Sequence, residues 1–166
     1  AKSLGTGLYK AACACKINGT PSDLRTPLLN DCELQILTFD DPEGKKAFWH
    51  TSSHILAQAV KRLYPQSKLA IGPAIDNGFY YDFDVEKPFL PEDLEKIETE
   101  MKKIVKEGIE LHRFELPPEE AMSKLKSMEE PYKVELAAEH ASKGEAISFY
   151  SQGDFTDLCA GPHLLS

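Results

Sequence analysis

Apolar positions recur along this chain at two different periods, and the change of period marks its predicted elements. Between Pro91 and Gly108, Leu94, Ile97, Met101, Ile104 and Val105 fall on one helical stripe. Acidic residues fill the first turn of that stripe and Gly108 is placed to end it. Ile55, Leu56, Ala59, Val60 and Leu63 repeat at the same spacing before Pro65, so a second helix is expected there, capped by Thr51, Ser52 or Ser53. Residues 117–128 and 132–140 predict two further helices broken at Pro131, and residues 7–14 a short Ala-rich one. Over Glu33–Phe39 the period drops to two, which puts Leu34, Ile36 and Thr38 on one face of a strand. Asn18-Gly19 and Asp76-Asn77-Gly78 tolerate the positive φ of tight hairpins, the second joining strands over 69–75 and 79–84. Further strands are expected over 109–116, 146–150 and 155–159.

Strands and helices therefore mix without strict alternation, which predicts an α+β fold with an antiparallel sheet flanked by helices. Residues 1–40 form a small α+β unit, too short to bury much core unless it leans on its neighbour. Residues 41–47 are polar and turn-rich and read as a linker. Residues 48–166 make the second and larger domain.

Composition narrows the function classes. The chain has 166 residues and a net charge of −8. No apolar run approaches the ~20 residues needed to cross a bilayer, so no membrane role is expected. Cys13, Cys15, Cys32 and Cys159 form neither a CxxC pair nor a regular disulfide spacing, and a reducing cytoplasm fits them best. An acidic chain does not grip many phosphates; it either avoids nucleic acid or meets only a short piece of it. The start at Ala1 without Met and the stop soon after a motif suit a fragment of a longer protein.

His50 and His54 are four apart on a predicted helix, so two imidazoles share one face. Cys159 and His163 are also four apart, but Gly161-Pro162 between them favours a strand end and turn. Two His plus Cys and His suit zinc. They equally suit acid–base chemistry on an ester, with imidazole as proton carrier. The plainer readings weigh against other positions. His112 and His140 stand alone on surface elements, Cys13 and Cys15 read as packing, and Trp49 reads as a core anchor. Lys102, Lys103 and Lys106 read as the wet face of a helix.

Three long segments carry a resemblance: Phe48-Trp49-His50-Thr51-Ser52-Ser53-His54-Ile55-Leu56-Ala57-Gln58-Ala59-Val60, Ile71-Gly72-Pro73-Ala74-Ile75-Asp76-Asn77-Gly78-Phe79-Tyr80-Tyr81-Asp82, and Asp157-Leu158-Cys159-Ala160-Gly161-Pro162-His163. In that order they resemble the N-terminal half of bacterial-type threonyl-tRNA synthetases. Lys16-Ile17-Asn18-Gly19 and the Glu33–Phe39 strand resemble the later part of the ubiquitin-like (β-grasp) TGS domain that precedes the editing domain in that family. Two departures stand out. The first TGS hairpin is lacking, and the family's editing domain runs on beyond the Gly-Pro-His motif, so 48–166 reads as truncated.

The resemblance implies a proofreading fragment that hydrolyses the ester of mischarged seryl-tRNA(Thr) with an activated water and lacks the aminoacylation site. The positions matching the family's editing pocket are His50, His54, Tyr81, Lys133, Asp157, Cys159 and His163. His50, Lys133, His54 and Asp157 are expected in the chemistry, with His50 and Lys133 activating water and Asp157 pairing with the substrate's α-ammonium. Tyr81, Cys159 and His163 are expected to bind substrate, and His54 to share in holding the ribose and aminoacyl group. No metal or other cofactor is expected for editing; zinc at His50, His54, Cys159 and His163 is the alternative, as in related alanyl-type domains. ATP and a further zinc belong to the family's catalytic domain. The expected partner is the acceptor end of tRNA(Thr) carrying serine, bound weakly by the acidic fragment alone. The fragment is expected to be a monomer and the full-length enzyme a homodimer. Two rivals remain: an alanyl-type trans-editing hydrolase, and a catalytically silent tRNA-binding module.

Overall fold

The computed structural model describes residues 1–144 and 146–166. A short helix, α1 (Thr6–Ala11), leads directly into β1 (Ala12–Ile17). The helix expected over 7–14 thus stops at Ala11, because Cys13, Ala14 and Cys15 are all buried as sheet residues. Asn18 at φ 49 and Gly19 at φ 80 turn the chain into β2 (Thr20–Ser22), the hairpin their residue types predict. The strand β3 (Leu34–Thr38) closes an antiparallel sheet of order β2-β1-β3. Its buried residue is Leu37, not the predicted face of Leu34, Ile36 and Thr38, since an irregularity in the β1 register between Ala12 and Ala14 brings Leu37 opposite Ala14. Leu37 and Ala14 pack on Ala47 of the next helix, so the small unit does lean on its neighbour.

That helix, α2 (Pro42–Leu63), begins inside the stretch expected to be a linker. Residues 42–47 are not a linker loop but its opening turns. Pro42 sits in the first turn, where a missing N–H costs nothing, and the Asp41 carboxylate accepts the Thr38 N–H at 2.7 Å to fix the entry. Thr51, Ser52 and Ser53 consequently lie inside the helix rather than at its cap. Ser52 and Ser53 donate to the carbonyls of Phe48 and His50.

A long hairpin follows, broken in its middle. β4 (Lys68–Leu69) pairs with β7 (Phe83–Asp84), and β5 (Ala74–Ile75) with β6 (Gly78–Phe79). The ladder lapses where Pro73 has no N–H to donate and where the Tyr81 ring lies on Gly72. A Cβ at residue 72 would come within 2.0 Å of that ring. Helix α3 (Pro91–Glu107) ends at Gly108 in the left-handed conformation, as predicted, and buries Ile97 and Ile104 against Ala59 and Val60 of α2. Leu94 and Val105 of the predicted stripe remain exposed.

The rest of the chain builds one layer of helices on one sheet. β8 (His112–Leu116) is followed by α4 (Pro118–Ser127) and α5 (Pro131–Ala141), then β9 (Ile147–Gln152) and β10 (Phe155–Leu158). The sheet is antiparallel, ordered β10-β9-β8. Phe149 at its centre packs on Ala121, Leu125 and Ala137 of the two helices. The fold is α+β throughout. No helix among the described residues is long and apolar enough to cross a membrane, and all four cysteines are free.

Candidate functional site

Helix α2 carries His50 and His54 one turn apart, with ring centroids 5.2 Å from each other. The end of β10 and the segment after it bring Asp157, Cys159 and His163 to the same place, the His163 ring lying 4.2 Å from His50 and 4.4 Å from His54. Lys133 enters from the first turns of α5 and Tyr81 from the hairpin. His50, His54, Tyr81, Lys133, Asp157 and Cys159 all line one cavity of about 530 Å³, a size that suits a small-molecule ligand. Ile71, Gly72, Pro73, Leu136, Ile147 and Leu158 make the apolar part of its wall.

His163 stands apart from the other six: it is fully buried and does not line the cavity. It sits behind Cys159, whose Sγ lies 3.1 Å from His163 Nε2 and 3.2 Å from His50 Nε2.

One pattern of protons gives every donor in this cluster an acceptor. The Thr51 hydroxyl accepts the Leu164 N–H at 3.0 Å, which leaves its own proton for His163 Nδ1 at 2.9 Å. His163 therefore carries its proton on Nε2 and donates to Cys159 Sγ, which also accepts the Gly161 N–H. The thiol proton is then free for His50 Nε2, so His50 holds its proton on Nδ1. In that pattern His50, His163, Thr51 and Cys159 are all neutral. Burial, then the adjacent His54, pushes His50 down to about 4 from 6.5. Burial takes His54 to about 4 as well, against the pull of Asp157. Burial and the two other imidazoles hold His163 well below 6.5, and burial pushes the Cys159 thiol up to about 12.

Beside this cluster the chemistry is charged. The Lys133 ammonium lies 3.0 Å from Asp157 Oδ1, and the Tyr81 hydroxyl donates to Asp157 Oδ2 at 2.7 Å. Burial opposes ionisation of Asp157, but Lys133, His54 and the two hydrogen bonds outweigh it and hold the carboxyl below its usual range. Burial and the same carboxylate raise Tyr81. His54 Nε2 is 3.8 Å from Asp157, too far for a hydrogen bond.

Two residues near the site escaped the sequence reading. Local spacing makes Thr51 a possible helix cap, whereas it lies inside the helix and contacts His163 and Leu164. His140 was dismissed as a lone surface histidine, yet it lines the cavity from the end of α5. His112 is exposed on β8 as expected. Trp49 joins Phe39, Phe48 and Phe79 in an aromatic cluster outside the cavity lining. Lys102 and Lys103 pair with Glu98 and Glu100 on the exposed face of α3.

The donor set can hold a metal. The ligand atoms of His50, His54, Cys159 and His163 all lie within 4.8 Å of one another. Zinc bonds of about 2.0–2.3 Å would ask for tetrahedral ligand separations of roughly 3.3–3.8 Å, so only small adjustments are needed.

Residues 1–38 match the family model described as the TGS domain. Over all 166 residues the chain is 64% identical to the threonine–tRNA ligase of Acetivibrio thermocellus, covering 26% of that protein. It is 66% identical over 163 residues to that of Clostridium tetani, covering 25% of it. The enzyme of the same name from Caldanaerobacter subterraneus subsp. tengcongensis is 61% identical over 166 residues. The chain spans about a quarter of the length of these relatives.

Proposed function

We infer that this chain, homologous along its whole length to about a quarter of a threonine–tRNA ligase, is a proofreading region that hydrolyses seryl-tRNA(Thr). The observation that carries this reading is the convergence on one cavity of three imidazoles, a thiol, an ammonium, a carboxylate and a phenol from four separate parts of the chain.

Serine lacks one methyl group of threonine, and a pocket built for threonine rejects something smaller only ~10–200-fold. A second site that admits serine and is overpacked by the extra methyl supplies the missing discrimination. Ester hydrolysis needs a positioned water, a stabiliser for the carbonyl oxyanion, and a proton for the departing ribose oxygen. The Nδ1–H of His50 orients the water, and the Lys133 ammonium polarises it and meets the developing oxyanion. Water adds to the carbonyl carbon, the ester C–O bond breaks, and the proton that water gives up ends on the ribose oxygen. Asp157 attracts the α-ammonium of serine in competition with Lys133. Tyr81 and His54 wall the aminoacyl group, while Cys159 and His163 hold His50 in its working tautomer.

Two further parts of the reading follow from the charge and the fold. The partner is the single-stranded acceptor end of tRNA(Thr), because a chain of net charge −8 does not grip a long phosphate backbone. The deacylase needs no metal in this scheme. The convergence of four ligand atoms within 4.8 Å favours zinc as the second reading. A zinc ion that took all four ligands would be a closed site with no position for water, so it would hold the cluster rather than activate the nucleophile.

The decisive test is deacylation of seryl- and threonyl-tRNA by the wild-type chain and by His50→Ala and Lys133→Ala. Seryl-tRNA should be cleaved much faster than threonyl-tRNA, and each variant should lose about 10²–10⁴-fold. Equal rates on the two substrates, or unchanged variants, would refute the reading. Near-stoichiometric zinc in the purified, active protein would replace the metal-free scheme with the second one.

A further inference from the structure

The segment from Cys159 to Leu165 holds two of the four clustered side chains, yet it has no regular secondary structure to fix it. Its own domain ties it at several points. Ser148 donates to the Cys159 carbonyl at 2.6 Å, Thr51 accepts the Leu164 N–H, and Leu111 donates to the Leu165 carbonyl at 3.0 Å.

The remaining ties come from the small N-terminal unit, more than a hundred residues away in sequence. Just after β2, one guanidinium nitrogen of Arg25 donates to the carbonyls of both Leu164 (2.6 Å) and Leu165 (2.7 Å). Its other terminal nitrogen pairs with Asp23 Oδ1. The second oxygen of Asp23 accepts the Tyr150 hydroxyl at 2.6 Å, and both of these residues are buried. Tyr150 in turn meets the site twice. Its ring stands edge-on to His163 at 4.4 Å, and its hydroxyl lies so close to Gly161 that a Cβ there would come within 2.2 Å of it. Gly161 is also the residue whose N–H points at Cys159 Sγ.

We propose that Asp23 and Arg25 of the N-terminal unit are positioning residues for the site, fixing Cys159 and His163 against His50 by holding Tyr150 and the 159–165 segment. The second domain supplies every side chain in the cavity, and the first sets how two of the four clustered side chains stand. A merely attached unit would rest on apolar contact alone. Here a buried carboxylate and a guanidinium, paired with each other, make three hydrogen bonds to the strand and segment that carry the site, and a displacement of about 1 Å there is enough to cost ~10²-fold in rate.

This rests on the proofreading reading for its kinetic arm and on geometry alone for its spectroscopic arm. The chain as it stands is compared with Arg25→Ala, Asp23→Ala and the milder Tyr150→Phe. Deacylation of seryl-tRNA is measured alongside the imidazole ¹⁵N resonances of His163 and His50. For Arg25→Ala and Asp23→Ala we expect kcat to fall about 10–100-fold with KM nearly unchanged, and the His163 resonances to shift. Arg25→Lys should restore part of the rate, since an ammonium can still reach a carbonyl. Tyr150→Phe, which keeps the ring, guards against a variant that fails to fold; its hydroxyl alone should cost a few-fold in kcat. Folded variants with wild-type kcat and unshifted His163 resonances would overturn the proposal. If the wild-type chain shows no deacylation, the proofreading reading fails, and the resonances alone decide the role of the N-terminal unit.

Discussion

Two neighbouring groups of side chains at the cavity, one neutral wall and one charged, solve the same problem in opposite ways. In one, His54, His163 and Cys159 are buried and His50 is half-buried, none of them within hydrogen-bond reach of a charged group, and burial keeps all of them neutral. In the other, Asp157 is buried just as deeply but faces Lys133 and Tyr81, and it stays ionised. Desolvation alone thus does not decide the charge state; a partner within hydrogen-bond reach does. The contrast matters for ester hydrolysis. A neutral imidazole can orient water without binding it as an ion, while a charged pair is ready for the ammonium of serine and the oxyanion of the carbonyl.

Acid should break the neutral wall first, and this is the largest effect expected. An unfolded histidine takes its proton near 6.5, whereas folded His50 and His54 do so only near 4. Between those values the unfolded chain binds more protons, so stability falls as pH falls. The contribution is fully present above 6.5 and gone by about 4, on the order of 3 kcal/mol for each of the two residues. Asp157, held below its usual range, keeps its contribution through that window. Urea unfolding at a series of pH values should show the loss, and His54→Gln should flatten the curve. A stability flat from 6.5 to 4 would mean that the imidazoles are not held neutral.

The charged wall should fail by subtraction. Lys133→Met leaves Asp157 buried without its ion partner, and breaking such a pair typically costs about 3–5 kcal/mol. Adding Asp157→Leu removes the stranded charge, so the double variant should regain most of the lost stability while remaining unable to deacylate. Unfolding free energies of the two single and the double variants give the coupling directly. Additive losses would show that Lys133 and Asp157 stabilise the fold independently of each other.

How much of this was legible beforehand depends on sequence distance. The helix over 91–108, both hairpin turns and the antiparallel sheet follow from local spacing, and Gly108 and Asn18-Gly19 behave as their residue types require. The opening of α2 was missed because Pro42, Gly44 and a run of charges look like a loop; the tight turn at Thr38–Asp41 starts the helix early. His50 and His54 were visible as a pair on one helix face. That Thr51 sits on His163, 112 residues away, was not, since a threonine among serines reads locally as a cap. The same holds for Asp23 and Tyr150, separated by 127 residues. Spacing also could not tell a residue that lines the cavity, Cys159, from one sealed behind it, His163.

The smallest effect expected isolates one bond in the charged wall. Tyr81→Phe keeps the ring that stacks on Phe83 at 4.9 Å, lies under the Lys133 ammonium and fits against Gly72. Only the hydroxyl that donates to Asp157 is lost. A hydrogen bond to a charged group contributes roughly 1.5–3 kcal/mol, so unfolding free energy should drop by about that much, less than for Lys133→Met. The carboxyl loses one of the groups that hold it ionised, and its pKa should rise while remaining set chiefly by Lys133. Deacylation should slow without vanishing, because the ammonium that meets the oxyanion is still in place. If Tyr81→Phe proves as damaging as Lys133→Met, the phenol and not the ammonium keeps Asp157 charged, and the two walls differ less than their charges suggest.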